Sequence, residues 1–230
     1  MAKKILICLP LAATAMLLYL YFSPNQRGLE TGSEEVSSLA EETQPVGKPR
    51  VLIIGDSLTE GYGLSEKEAF PSLLQTKMRQ KDFPDAAVIN AGTSGATSAF
   101  CLRTLRFQTK HMPPDHLLVA LGANDALRGV TPSETERNLA RCLEFAKEKG
   151  IRVTLIGMMA PPNYGIKFPE EFSAIYPRLK DRFGVHFIPF LLEGVAGEPR
   201  LNLPDGIHPN KQGYEVVAQH VWGFLKGHLR

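Results

Sequence analysis

Several ingredients that would fix a function class on their own are scarce in this chain. Neither sign of charge dominates: 26 Lys and Arg stand against 24 Asp and Glu, a formal net charge of +2. With no basic block or stripe, a nucleic-acid partner has no electrostatic footprint here. Cysteine is down to three residues, and none forms a C-x-x-C pair or a metal-ligand spacing. That removes a cysteine-built metal site and a dithiol redox centre. Cys8 lies in an apolar run, too early and without the small residues that precede a lipidated cysteine. Cys101 and Cys142 fall in predicted helices, where buried inert thiols are the preferred reading and a disulfide between them the alternative. Internal repeats are missing as well. What remains is an ordinary globular composition, 43% hydrophobic and 22% charged over 230 residues, which suits one domain with an appendage.

The appendage comes first. Residues Ile5 to Phe22 are almost continuously apolar behind Lys3 and Lys4. Eighteen residues at roughly 1.5 Å each reach about 27 Å, close to the hydrocarbon thickness of a bilayer. The only small-residue site, Ala13-Thr14-Ala15, is buried inside the run, with Met16 to Phe22 still to follow. The expectation over 1–22 is therefore an uncleaved membrane anchor, with a cleaved signal peptide as the alternative and a core helix as a third reading. Lys3 and Lys4 favour the cytoplasmic side, while the far flank carries Arg27 before Glu30, Glu34 and Glu35. The folded domain is expected on the outer side, in a periplasmic or other extracytoplasmic space. Residues 23–49 are rich in Ser, Glu, Thr, Gly and Pro, too poor in apolar surface to offset their ordering entropy, and read as a flexible linker.

From Arg50 onwards strand and helix patterns alternate. Predicted strands are Val51–Gly55, Ala87–Asn90, Leu117–Leu121, Val153–Gly157 and His186–Pro189. Predicted helices lie near Glu66–Lys81, Ser98–Lys110, Ser133–Lys149, Pro169–Phe183 and Lys211–Leu229. The third helix opens on Ser133 with Glu136 as a capping box and closes at Gly150, with Leu139, Cys142, Leu143 and Ala146 facing inward. Such alternation predicts an α/β domain over 50–230, a doubly wound sheet of five parallel strands with helices on both faces.

The chemistry gathers where strands end. The aliphatic run Val51 to Ile54 reads as a strand buried on both faces, ended by Gly55 and followed by Asp56 and Ser57. A tight strand-to-helix turn there lifts the Ser57 hydroxyl to the carboxyl edge of the sheet, where open α/β sheets bind ligands. A serine hydroxyl is a poor nucleophile without a base. Pro204-Asp-Gly-Ile-His-Pro-Asn210 supplies one: Asp205 and His208 are three apart, which lets the carboxylate reach Nδ1 while Nε2 faces the serine. The other five histidines lack such a partner and read as surface or packing residues. Two more blocks follow strands. Asn90-Ala-Gly-Thr-Ser-Gly-Ala-Thr97 can present the Gly95 N–H with no side chain in the way. Ala120-Leu-Gly-Ala-Asn-Asp-Ala-Leu-Arg-Gly129 places Asn124 as an amide donor at the same edge. Alone, each is a plain turn; together they form a set.

Gly55-Asp56-Ser57-Leu58 with Asp205-x-x-His208, Gly95 and Asn124 resembles the SGNH, or GDSL, hydrolases over nearly all of Arg50 to Leu229. Gly-Ala-Asn-Asp-Ala-Leu-Arg-Gly, Phe172-Ser-Ala-Ile-Tyr-Pro177 and Ala160-Pro-Pro-Asn-Tyr-Gly165 look like the branch of periplasmic acyl-CoA thioesterases, arylesterases and lysophospholipases. The resemblance implies a flavodoxin-like sheet and a serine esterase or thioesterase working through an acyl-enzyme. Ser57, His208 and Asp205 would form the triad, and the N–H groups of Ser57 and Gly95 with the Asn124 amide the oxyanion hole. It implies a small-molecule acyl ester or thioester as substrate; a hydrolytic mechanism on this set of residues requires no metal and no cofactor, and the catalytic domain is expected to be monomeric. Members of the branch carry a cleaved signal, which this N-terminus departs from. An acetyl-specific carbohydrate esterase and a non-catalytic binding module on the same fold are the alternatives.

Overall fold

The computed structural model describes residues 48–160 and 166–229. The anchor or signal segment over 1–22, the linker up to residue 47 and the Pro161–Gly165 part of the quoted motif lie outside the described residues.

Five parallel strands form one sheet: β1 (Arg50–Gly55), β2 (Ala87–Gly92), β3 (His116–Ala120), β4 (Arg152–Ile156) and β5 (His186–Ile188). Their spatial order is β2-β1-β3-β4-β5, the flavodoxin-like order expected from the alternating pattern. Val51 to Ile54 and the whole of β3 are buried, as strands covered by helices on both faces must be. β2 is an edge strand and is only half-buried along its length. In register, Gly55 pairs with both Gly92 and Ala120, so the chains leaving β1, β2 and β3 emerge side by side. Because β2 and β3 lie on opposite sides of β1, this is the point where the winding reverses, and ligands bind in the crevice outside such a point.

The helices are α1 (Ser57–Glu60), α2 (Phe70–Lys81), α3 (Phe100–His111), α4 (Ala123–Leu127), α5 (Pro132–Glu148), α6 (Lys167–Ser173), α7 (Ile175–Phe183) and α8 (Lys211–Leu225). α2 packs with α8, while α3 packs with α5 and α5 with α7, giving the two covering layers. The core runs from the β1 aliphatics through Leu74, Leu117, Leu139 and Tyr214 to Val221.

Three local expectations are corrected. The single helix expected over Glu66–Lys81 is two pieces, a 3-10 turn at Glu66–Glu68 and α2, because Ala69 is extended and Pro71 sits in the first turn of α2; proline suits that position. The helix expected over Pro169–Phe183 is likewise interrupted at Ala174 into α6 and α7. The cap of α5 is Thr131, whose hydroxyl accepts from the Glu134 N–H at 3.2 Å with Pro132 inside the first turn, so Ser133 and Glu136 do not form the box. Glu136 instead pairs with Arg178 of α7 at 2.6 Å. The inward face of α5 is as expected, with Leu139, Cys142, Leu143 and Ala146 buried.

The inert-thiol reading of Cys101 and Cys142 is also corrected. The two residues, on α3 and α5, are joined as a disulfide with Cα atoms 5.8 Å apart. Sequence spacing gave no sign of it, since the pairing depends on how α3 packs on α5.

Candidate active site at the carboxyl edge

The edge is built from the strand ends outward. Asp56 caps α1, its Oδ1 accepting the Leu58 N–H at 3.0 Å, and Gly61 closes the helix in the left-handed region with its N–H on the Ser57 carbonyl. A helix this short and tightly capped fixes where the Ser57 side chain emerges. It lies directly on the strand ends: a Cβ on Gly55 would strike Thr59, and one on Gly92 the backbone of Glu60. Glycine is thus required at both positions for close approach.

The base arrives from the loop before α8. Asn202 and Pro209 form an antiparallel bridge, the Leu203 N–H donates to the His208 carbonyl at 2.8 Å, and the buried Asn202 amide donates to the carbonyls of Val195 and Glu198. Asn210 then caps α8 by accepting from the Gly213 N–H. Within this hairpin Asp205 Oδ1 accepts the N–H groups of Ile207 and His208, both at 3.0 Å. Its other oxygen lies 2.8 Å from His208 Nδ1, and His208 Nε2 lies 2.9 Å from Ser57 Oγ. An ionised carboxylate only accepts, so Nδ1 carries the proton and donates to Asp205, and the Ser57 hydroxyl donates to Nε2. Those two backbone N–H groups, with the His208 ring, hold the Asp205 carboxyl down to about 2. The Tyr62 ring lies against the His208 ring, centroids 4.5 Å apart, and limits its rotation.

The donor side comes from the ends of β2 and β3. Thr93 to Ala96 form a turn closed by the Ala96 N–H on the Thr93 carbonyl at 2.9 Å. Gly95 occupies its third position at φ +77°, the positive angle a type II turn demands there. Among the described residues, neither the Gly95 N–H nor the Ser57 N–H donates to a protein acceptor. Asn124, at the start of α4, donates one amide hydrogen from Nδ2 to the Ala96 carbonyl at 3.2 Å. That bond ties the amide to the Gly95 turn and leaves its second hydrogen available. All five residues singled out in the sequence therefore come to one edge: Ser57, His208 and Asp205 in hydrogen-bonded sequence, Gly95 and Asn124 linked through Ala96.

Other contributors gave no signal in the sequence. Buried Asp125 anchors α4, accepting from the Ser98 N–H at 2.7 Å, the Ser98 hydroxyl at 2.5 Å and the Thr135 hydroxyl at 3.3 Å. It thereby fixes the residue beside Asn124. Glu60 accepts from the Ser94 N–H at 2.8 Å and from the Ser94 hydroxyl, which pins the Gly95 turn to α1. Asp56 is buried, and burial raises its carboxyl to about 6, against the pull of the Leu58 N–H and the charge of His208. Its Oδ2 and the buried Tyr214 hydroxyl have no hydrogen-bond partner among the described residues. His116, far from this edge at the start of β3, is buried with Nε2 2.8 Å from the Thr154 hydroxyl, and burial holds it down to about 3. It is a packing residue, as expected. Among the described residues no group of three or more His, Cys, Asp or Glu could hold a metal ion, and no helix is long and apolar enough to cross a membrane.

The chain is similar to known proteins. Residues 53–216 match the GDSL-like Lipase/Acylhydrolase family. The chain is 35% identical over 184 residues to the esterase TesA of Pseudomonas aeruginosa, which covers 80% of this chain and 91% of that protein. It is 40% identical over 168 residues to the thioesterase 1/protease 1/lysophospholipase L1 of Escherichia coli K12, covering 73% and 79%. Among solved structures, the psychrotrophic esterase EstA from Pseudoalteromonas sp., inhibited by monoethylphosphonate, superposes with a TM-score of 0.75 at 31% identity, covering 78% of this chain and 98% of that one.

Proposed function

The chain belongs to the GDSL-like lipase/acylhydrolase family, and on that basis we propose that it hydrolyses acyl esters and thioesters through an acyl-enzyme on Ser57. The observation that carries this reading is the unbroken relay from Ser57 Oγ through the His208 ring to Asp205, with contacts of 2.9 and 2.8 Å.

Ser57 Oγ attacks the acyl carbonyl while its proton passes to His208 Nε2. Asp205 holds the ring in the productive tautomer and stabilises the imidazolium. The carbonyl electron pair moves onto oxygen, and the Ser57 and Gly95 N–H groups with the free Asn124 amide hydrogen receive that oxyanion. Collapse breaks the bond to the leaving oxygen or sulfur, which takes the proton from Nε2. Water then attacks the acyl-enzyme, giving a proton to Nε2, and the second collapse returns that proton to Ser57 as the acid departs. No step calls on a metal or an organic cofactor.

The exposed apolar residues at this edge favour an acyl chain over a sugar. Leu127 follows Asn124, Ile207 precedes His208 and Met159 follows β4, exposed by 49, 56 and 58%. A carbohydrate esterase calls for a wide polar groove instead. An organophosphonate serine probe should label the wild type and leave Ser57→Ala unmodified; labelling that survives the substitution overturns the assignment.

The same reading extends to location. We infer that the domain works outside the cytoplasm, held by the 5–22 segment. The Cys101–Cys142 disulfide suits an oxidising compartment, and the apolar run behind Lys3 and Lys4 suits an anchor. Protease added to spheroplasts should remove a membrane-fractionating protein; a soluble form beginning after Ala15 would mean a cleaved signal instead. We infer too that the catalytic domain acts as a monomer, since the constellation calls on no second chain, and light scattering on the purified domain tests this.

A further inference from the structure

Many arginines in this domain are occupied. Arg178 pairs with Glu136, Arg50 with Asp115, and Arg103 lies over the Phe100 ring. Arg128 is different. Among the described residues its guanidinium has no ion pair, hydrogen bond or ring contact, and the residue is exposed. An exposed arginine on an outer helix face is explained by solvation alone, but Arg128 does not stand on one. Its backbone N–H closes α4 on the carbonyls of Asn124 and Asp125, at 3.1 and 3.2 Å, so its Cα is fixed by the same buried Asp125 that anchors the candidate oxyanion amide. From there the side chain reaches back over the Gly95 turn. A Cβ placed on Gly95 would meet Arg128 Nη2 at 3.1 Å. The cation therefore lies beside the N–H proposed to receive the oxyanion, at the rim of the site.

Carboxylates line the same edge. Beyond α1 lies a cavity of about 550 Å³ lined by Glu60 and Glu66 together with Tyr62, Asn90 and Ser94. Glu60 is taken up by the Ser94 N–H and hydroxyl, whereas the Arg128 guanidinium is unpaired among the described residues and is left to meet an anionic part of a substrate. Guanidinium presents a planar fork of donors that matches phosphate oxygens in pairs, and phosphate is the anion it binds with the best geometry. In an acyl donor the acyl part is hydrocarbon, so the charge resides in the leaving group.

We propose that Arg128 binds a phosphate group of the leaving alcohol or thiol, so that the enzyme prefers phosphate-bearing acyl esters and thioesters to neutral ones. This rests on the serine-hydrolase reading above. Two sources share the chemistry, a nucleotide-linked thiol and a glycerophosphoryl alcohol, and the experiment separates them.

Wild type, Arg128→Gln and Arg128→Lys are assayed with three substrates of one acyl length: a neutral N-acetylcysteamine thioester, the acyl-coenzyme A, and a lysophospholipid kept below its micellar concentration. The readout is the ratio of kcat/KM on each phosphate-bearing substrate to that on the neutral one. In Arg128→Gln that ratio should fall about 10- to 100-fold, the worth of one charge-assisted contact. The loss should appear in KM, and Arg128→Lys should recover part of it as a point charge without the fork. The wild-type preference should also shrink with added salt, as for an exposed ion pair. A loss confined to the acyl-coenzyme A assigns the thiol donor, and one confined to the lysophospholipid assigns the glycerophosphoryl donor. Ratios within twofold of wild type on both substrates overturn the assignment of Arg128 while leaving ester hydrolysis intact. A wild type inert towards all three overturns the hydrolase reading and the inference together.

Discussion

Replacing Asp56 with asparagine isolates the cost of an ionisable group buried beside the nucleophile. Burial lifts its carboxyl from 3.8 to about 6, so the folded protein holds that proton more tightly than the unfolded chain does. Between about pH 4 and pH 6 the native state therefore binds more protons, and stability falls as pH rises through that window. Above it the full deficit is present. A shift of about two units at 1.36 kcal/mol each amounts to about 3 kcal/mol. Asparagine keeps the Oδ1 that accepts the Leu58 N–H and caps α1, but it cannot ionise. Any penalty from its extra N–H groups is independent of pH. Hence the difference in melting temperature between Asp56→Asn and wild type should grow in favour of the variant from pH 4 to pH 8. For a domain of this size about 3 kcal/mol corresponds to roughly 6–12 °C. Differential scanning calorimetry at unit pH intervals measures it, and taking the difference cancels the other titrating groups. A gap that stays constant across the range, or one that turns towards wild type above pH 6, refutes the argument that Asp56 is a strained, desolvated acid.

Two further outcomes follow from the same structure. Asn124→Ala removes a donor needed mainly by the developing negative charge, so kcat on a short p-nitrophenyl ester should drop about 100- to 1,000-fold with KM little altered; a variant that keeps kcat and loses only affinity makes Asn124 a substrate-binding residue. Reducing the Cys101–Cys142 bridge frees a loop with a sequence separation of 41, which the chain-entropy relation values at about 4 kcal/mol. Reduced protein should therefore melt roughly 8–16 °C below oxidised protein, and a difference under 2 °C would show that burial of the two sulfurs suffices.

Much of the site could be read from the chain because its chemistry is carried by residues whose local geometry is set locally. Asp205 and His208 are three apart, so one hairpin orients both, and Asn210 caps the helix that follows it. Gly95 is legible as a glycine because a turn there needs a positive φ. The buried aliphatics of β1 and the alternation that follows determine a parallel sheet, since such strands must be covered on both faces.

What the sequence could not decide are features that depend on where separate elements meet. The Thr131 cap won over Ser133 because Pro132 fits the first turn and Glu136 is taken by Arg178 of α7. The disulfide exists because α3 lies on α5, which brings residues 101 and 142 within reach. The raised pKa of Asp56, the tether from Glu60 to Ser94 and the reach of Arg128 over Gly95 equally depend on distant stretches meeting. Local backbone preferences and hydrophobic period are written along the chain, so the sequence by itself determined the strands, the turns and the candidates for the triad. Burial, charge balance and side-chain reach across 30 or more residues exist only once the sheet has brought β1, β2 and β3 side by side, and those the tertiary structure alone decided.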